Sequence, residues 1–487
     1  MDFRAFTAMI AAAALLGNTM ACSSRSARAP AAPLPPAVMD PLLEAIDKPY
    51  VELFETAARL EFSKTQIARM REHQRQSKEY CTGGFKDRTK ALDSELRKSQ
   101  DELQKRTKTI SDADRRTLHC RIQNLQIERR EAQLLAEHGI PVAYQNRLAK
   151  LDLIEQWPAQ LQQIQEELRT GVYSSRKFGD VKDIGFRDVG RGQENDVKLG
   201  KETIDEMKMQ GMIPPEVDNE VVREYVSEMA RRIAAKSDLK VPVKVVVLNS
   251  QEVNAFALPG GFLYVQRGLI EAAEDDAQLA GVIAHEISHA AARHGHQLMR
   301  KATIASIIYQ AAQVAAIIMT GGAVGLGAYY ALQYGFYGLG LLLSLDILGV
   351  SRDFEREADQ LGIQYTWNAG YDPSGFIRFF DLMATKEGYV NGLSWFRTHP
   401  PFYERMVDAQ RELHYLPKKD NLIVRSTQFD RMKQELAKVT KRAKEDEKDK
   451  PTLLGREKDC PPPKKLDYKP GDPIEKICAP LAAASAR

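Results

Sequence analysis

The sequence predicts an α+β fold, a small sheet set beside buried helices and preceded by an antiparallel helical or coiled-coil module. Three observations predict it. An apolar helical run, AQLAGVIAHEISHAAARH, lies in the middle of the chain, with no proline or glycine from Val282 to Arg293. Short β-branched and aromatic runs stand just before it. Apolar residues at heptad spacing fill the stretch from 50 to 170. The 487 residues leave room for more than one domain. With 69 basic against 66 acidic residues, the chain carries no nucleic-acid stripe and no acidic tail, so no nucleic-acid partner is expected.

At the N-terminus, Arg4 precedes an apolar run from Ala5 to Leu16 that is too short to anchor in a membrane. Residues 1–22 therefore read as a signal peptide. Thr19-Met20-Ala21-Cys22 partly resembles a lipobox, which makes Cys22 a possible lipidation site. Residues 23–48 follow as an Ala-, Pro- and Ser-rich tether, and the expected address is the periplasm, held to the outer membrane as a lipoprotein. Residues 49–172 read as the helical bundle or coiled-coil module. Leu53, Leu60 and Ile67, then Leu96, Leu103 and Ile110, repeat every seven residues, and Leu118, Ile122, Leu125 and Ala132 continue the seam. Breaks are expected at Gly83-Gly84, at a Ser111-Asp112 cap and at Gly139-Ile140-Pro141, giving three or four antiparallel helices. Such a module serves as a spacer, a self-packing bundle or a partner-docking arm.

A polar linker, 173–195, leads into the domain at 196–415. Residues 217–236 look helical, and Val243–Leu248 reads as a strand. Phe256–Leu258 and Phe262–Val265 flank Pro259-Gly260-Gly261 as a hairpin-like turn. On the helix that follows, His285 and His289 are four apart and share a face, so both imidazoles can reach one ion. Glu286 holds the position of a general base in such sites. Leu279, Val282, Ile283 and Ile287 form the apolar stripe of a buried helix. Five cysteines without a CxxC pair argue against a cysteine-ligated zinc site.

A catalytic zinc takes three protein ligands and keeps one open position. A third histidine on the metzincin pattern is excluded, because Ala292 and Gly295 stand where Gly and His are needed. The candidate is Glu355, with Glu357 as the alternative. Asp359, one helical turn beyond Glu355, could support a ligand histidine by hydrogen bonding. Between these motifs the apolar insert 302–350 carries one formal charge, Asp346, and reads as a lid over the cleft, a membrane hairpin or a core pair. His399, Tyr403 and Arg352 are candidate oxyanion donors. Residues 416–487 form a charged and Pro-rich tail, in which 426–448 reads as a solvated mixed-charge helix. The spacing of Cys460 and Cys478 permits a loop-closing disulfide, with Cys81–Cys120 as a second pairing.

Four stretches carry a resemblance. They are Asn254-Ala255-Phe256-Ala257-Leu258-Pro259-Gly260-Gly261, the HExxH run with Ala292-Arg293-His294, Ser351-Arg352 through Ala358-Asp359, and His399-Pro400 with Glu404-Arg405. By these the 196–415 domain resembles the HtpX and CAAX prenyl protease-like family of gluzincin-type zinc metallopeptidases, nearest to its periplasmic BepA-like lipoprotein branch. The resemblance implies a zincin-like metallopeptidase domain with one Zn2+ per chain on His285, His289 and Glu355, and with Glu286 as the base. It makes residues 254–261 the substrate edge and puts His399 near the metal, as an inhibitory ligand or an oxyanion donor. The expected activity is a metalloendopeptidase of the cell envelope acting on misfolded or unassembled envelope proteins, with an envelope chaperone carrying a latent site as the alternative. Outer-membrane assembly machinery is the further expected partner, and membrane contact is expected through the lipid anchor and segment 302–350. No repeat of about 34 residues is present, so a tetratricopeptide array is not expected.

Overall fold

The computed structural model describes residues 40–172, 177–182, 192–299, 352–386, 403–448, 460–464 and 472–485, with short breaks at 60, 107–108, 179–180 and 210–212. The expected signal peptide with Cys22, the insert 302–350 and His399 lie outside the described residues.

Helices α1 (Pro41–Asp47) and α2 (Tyr50–Ala57) open the described chain. Helix α1 starts inside the stretch expected as tether, because Asp40 caps Leu42 N, Pro41 suits a first helical turn, and Leu42, Ala45 and Ile46 are buried. Helix α3 (Lys64–Lys105) starts at a Ser63–Gln66 capping box. Helix α4 (Asp112–Leu134) starts at Ser111, as its spacing predicts, and passes through a π-turn, Leu135–Gly139, into α5 (Ile140–Thr170). The heptad positions Ile110, Leu118 and Ile122 pack with Leu96 and Leu103 where α3 and α4 meet.

Two expected breaks are corrected. Helix α3 runs through Gly83-Gly84 without interruption. A Cβ on Gly84 would sit 2.5 Å from Leu481 Cδ1, so this glycine admits a neighbouring helix and ends nothing. At Gly139 the chain stays helical, for the π-turn carries α4 straight into α5, with Ile140 N donating to Leu135 O and Pro141 as the second residue of α5.

A short antiparallel pair, β1 (Lys177–Phe178) and β2 (Val181–Lys182), precedes α6 (Gln193–Met209) and α7 (Glu220–Ala234). Strands β3 (Lys244–Leu248), β4 (Ala255–Leu258) and β5 (Phe262–Gln266) make a sheet in the order β3-β5-β4. Strand β3 is parallel to β5, and β4 is antiparallel to it with Ala255 opposite Val265. Gly260 and Gly261, at φ 83° and 81°, make the turn expected at this point. After α8 (Arg267–Ala272) come α9 (Asp276–Ala291), α10 (His294–Met299), α11 (Arg352–Asn368), α12 (Gly375–Lys386) and α13 (Tyr403–Tyr415). Helices α14 (Thr427–Lys448) and α15 (Ile474–Ser485) follow.

One apolar core joins α1, α2 and α5 to α7, α9 and α11–α14. The base of the helical module is thus part of the domain core, which a detached spacer would not be. Trp157 of α5, 1% exposed, stands 4.9 Å from the Phe54 ring and 5.9 Å from the ring of His414 on α13. Truncating a tryptophan so placed to alanine costs about 3–5 kcal/mol. Asp381 of α12 caps α2, accepting from Tyr50 N at 3.0 Å.

A second cluster packs α3, α4 and α5 against α15. Here the expected disulfides are corrected, for Cys81 pairs with Cys478 and Cys120 with Cys460. Neither cysteine of the tail meets the other, because α15 lies along α3 and carries Cys478 to it. Arg147 Nη2 lies 3.2 Å from Glu475 Oε2, and Gln74 donates to Oε1 at 2.6 Å, which holds α15 in place. Helix α14 is corrected too. Phe429, Met432, Leu436 and Val439, at three- and four-residue spacing, are buried in the core. Among the described residues no helix is long and apolar enough to cross a membrane.

Candidate metal centre

Helix α9 is buried along almost its whole length, so its polar residues are chosen for what they hold. Asp275 caps it by accepting from Gln278 N at 2.8 Å. Ser426 N and Oγ donate to Asp276 at 2.6 and 2.9 Å, which ties the first turn to the segment before α14. Helix α11 crosses α9 at Gly362, where a Cβ would lie 3.0 Å from the backbone of His285. That close approach brings the carboxylate of Glu355 to the two imidazoles.

The donor atoms of His285, His289 and Glu355 all lie within 4.8 Å of one another. The two Nε2 atoms are 3.0 Å apart. Glu355 Oε2 is 3.5 Å from His285 Nε2, and its Oε1 is 3.4 Å from His289 Nε2. His285 and Glu355 are buried, whereas the His289 side chain keeps 12% of its surface. The cluster therefore opens on the His289 side.

Each donor is held from behind. Asp359 Oδ1 lies 2.9 Å from His285 Nδ1, so a proton on Nδ1 faces that carboxylate and Nε2 presents a lone pair to the cluster. The Phe376 ring is stacked on His285 at 5.6 Å. Arg405 of α13 donates to Asp359 through Nε and Nη2, both at 2.6 Å, and its Nη1 lies 3.0 Å from Glu355 Oε2. Burial would lower the pKa of this guanidinium, yet the charges of Asp359 and Glu355 outweigh that and raise it. It also sits 5.0 Å over the Phe380 ring.

Glu357 does not enter the cluster. Its Oε2 lies 3.0 Å from Nε2 of His294, whose Nδ1 is 2.9 Å from His289 Nδ1. Two residues along a helix turn about 200°, so Glu355 and Glu357 face different neighbours. Glu286 is buried beside the cluster, within electrostatic reach of Arg405. Residues 255–258 form β4, the terminal strand in the sheet order, with α9 packed against it, and Asn254 is buried just before it. Of Arg352 and Tyr403, only the backbone lies within the described helices.

Arg405 and His294 stand within the stretches that carry the resemblance, but the sequence alone gives neither a contact. A signal existed for Arg405. It falls with Ala409, Glu412 and Leu416 on one buried stripe, where an arginine needs a partner.

The donor set suits a divalent cation. Three buried carboxylates, Glu286, Glu355 and Asp359, stand around one buried guanidinium, Arg405, which leaves a formal charge of minus two. Two imidazoles and a carboxylate form a ligand set that zinc takes readily.

Residues 216–413 match peptidase family M48. The chain is 25% identical over 204 residues to the beta-barrel assembly-enhancing protease of Yersinia pestis, covering 42% of this chain and 41% of that one. To the protein of the same name from Escherichia coli it is 24% identical over 206 residues, 42% of this chain and 41% of that one. It is 31% identical over 187 residues to the mitochondrial metalloendopeptidase OMA1 of Schizosaccharomyces pombe, 37% of this chain and 50% of that one. The chain thus spans half or less of the length of these relatives, and the helical module lies outside the family match.

Proposed function

We propose, from the family M48 match of residues 216–413 and the buried convergence of His285, His289 and Glu355, that this chain is a zinc-dependent endopeptidase of the bacterial cell envelope. The convergence carries the reading. Three side chains from two helices would not share one buried point, with a glutamate beside them, for packing alone. Bound there, zinc would polarise a scissile carbonyl and bring the pKa of a water toward about 7. Glu286 would accept the proton of the attacking water and return it to the leaving amine. Asp359 and Arg405 would keep His285 and Glu355 oriented. Strand β4 would hold an extended substrate by main-chain hydrogen bonds along 254–261.

Misfolded or unassembled envelope proteins are the proposed substrates, and attachment through Cys22 the proposed anchor. The names of the two bacterial relatives support an envelope setting. The test compares Glu286→Gln with wild type for zinc content, cleavage of an unfolded protein and rescue of envelope defects. The expected variant keeps about one zinc and loses both cleavage and rescue. Rescue without cleavage would favour a chaperone whose metal site is latent, and undiminished cleavage would remove Glu286 from the chemistry.

A further inference from the structure

Just past the end of helix α9 and its C-cap Ala292 stands Arg293, whose φ of 60° is left-handed and unusual for a residue with a side chain. The conformation is held by Asp196 of α6, which accepts from Arg293 Nε at 2.6 Å and from Nη2 at 2.7 Å. The turn folds the chain back, so that His294, the next residue, lays its imidazole behind His289. His294 is 1% exposed, and its ring is stacked on Phe354 with centroids 4.3 Å apart and planes at 11°. Its two nitrogens meet His289 Nδ1 at 2.9 Å and Glu357 Oε2 at 3.0 Å.

Only one arrangement of protons suits these distances when His289 gives its Nε2 lone pair to a metal. A neutral His289 then carries its hydrogen on Nδ1 and donates it toward His294. His294 must accept at Nδ1 and therefore carries its own hydrogen on Nε2, which it donates to Glu357. The carboxylate can only accept, so it closes the series. His289 is also the ligand with the most exposed side chain of the three, and so the one with most freedom to turn away.

We propose that His294 and Glu357 are positioning residues, a relay that fixes the tautomer and the ring orientation of His289 for metal binding. Asp359 does the same for His285 directly, and the relay reaches His289 through an interposed imidazole. The inference rests on the metal-site reading above.

The experiment measures zinc affinity of the purified full chain by competition with a chelating dye, alongside the thermal midpoint of the metal-free protein. His294→Phe keeps the stack on Phe354 and removes both nitrogens. It should bind zinc about 10- to 100-fold more weakly, with its metal-free midpoint unchanged. Glu357→Ala should weaken zinc over the same range. Glu357→Gln should stay near wild type, since its amide oxygen still accepts from His294. Zinc bound by His294→Phe as tightly as by wild type would overturn the relay. So would a Glu357→Gln protein as weak as Glu357→Ala, which would make charge the requirement. If His294→Phe does not fold, the two Glu357 variants decide, at a side chain already 18% exposed. Wild type and His285→Ala separate the two levels of the argument. Zinc absent from wild type overturns the metal site and the relay together, whereas zinc lost only in His285→Ala, with the relay variants unaffected, overturns the relay alone.

Discussion

The two disulfides make a quantitative test of how the tail is joined to the helical module. Cys81–Cys478 spans 397 residues and Cys120–Cys460 spans 340. In the loop-closure description a crosslink over n residues lowers the entropy of the unfolded chain by about 2.1 plus 1.5R ln n cal/mol/K. Either bond alone then contributes about 6 kcal/mol at 25 °C. The second bond acts on a chain already closed by the first. It closes only the 57 residues by which 397 exceeds 340, which is about 4 kcal/mol. Removing one bond should therefore cost about 4 kcal/mol, whichever one it is, and removing both about 10 kcal/mol rather than the sum of the single losses. The assay is denaturant unfolding of the oxidised wild type, Cys81→Ala/Cys478→Ala, Cys120→Ser/Cys460→Ser and the quadruple variant, with peptide mapping under non-reducing conditions. A tryptic peptide linking Cys460 to Cys478 would refute the connectivity. Single losses that differ strongly from each other, or that simply add in the quadruple variant, would refute the nested-loop reasoning.

Two further outcomes follow from buried charge. Arg405→Met removes the guanidinium from Asp359 and Glu355, so the metal-free protein should lose about 3–5 kcal/mol, with part restored by saturating zinc; a metal-free thermal midpoint equal to wild type would refute the clamp. For Glu475, burial pushes the pKa up, but the Arg147 charge and the Gln74 hydrogen bond outweigh it and hold the group below its usual 4.5. A carboxylate whose folded pKa is depressed contributes stability above the unfolded pKa and loses it as pH falls through the folded one. The stability difference between wild type and Glu475→Gln, read from denaturant midpoints, should thus shrink as pH drops from about 6 to about 3. A constant difference would show that Arg147 adds nothing through charge.

The centre of the site is legible in the sequence because its spacing is local. Any α-helix puts i and i+4 on one face, so His285 and His289 converge whatever surrounds them. The strands beside the turn at Gly260-Gly261 are legible for the same reason, since alternation and turn residues act over a few positions. Helix α14 carried its buried face openly in Phe429, Met432, Leu436 and Val439, and its many charges on the other face masked it. Glu355 and Glu357 are chemically alike and two residues apart. The choice between them needs the rotation of α11 against α9, which Gly362 and the packing on both sides set.

Other features depend on segments hundreds of residues away. A glycine pair inside a polar run reads equally as a break or as a close approach, and Leu481 decides it for Gly84. Cysteines pair by distance in space, so the short interval between Cys460 and Cys478 carries no weight once α15 lies along α3. The clamp by Arg405 needs α13 delivered across α11, and the relay through His294 needs a left-handed residue held by Asp196 on a different helix. The sequence by itself determined the helical and strand periods, the HExxH face and the acidic turn that supplies the third donor. Only the tertiary structure decided which helices meet, which acid turns inward and which sulfurs bond. Backbone geometry repeats identically in every helix, while the meeting of helices is settled by burial summed over the whole chain.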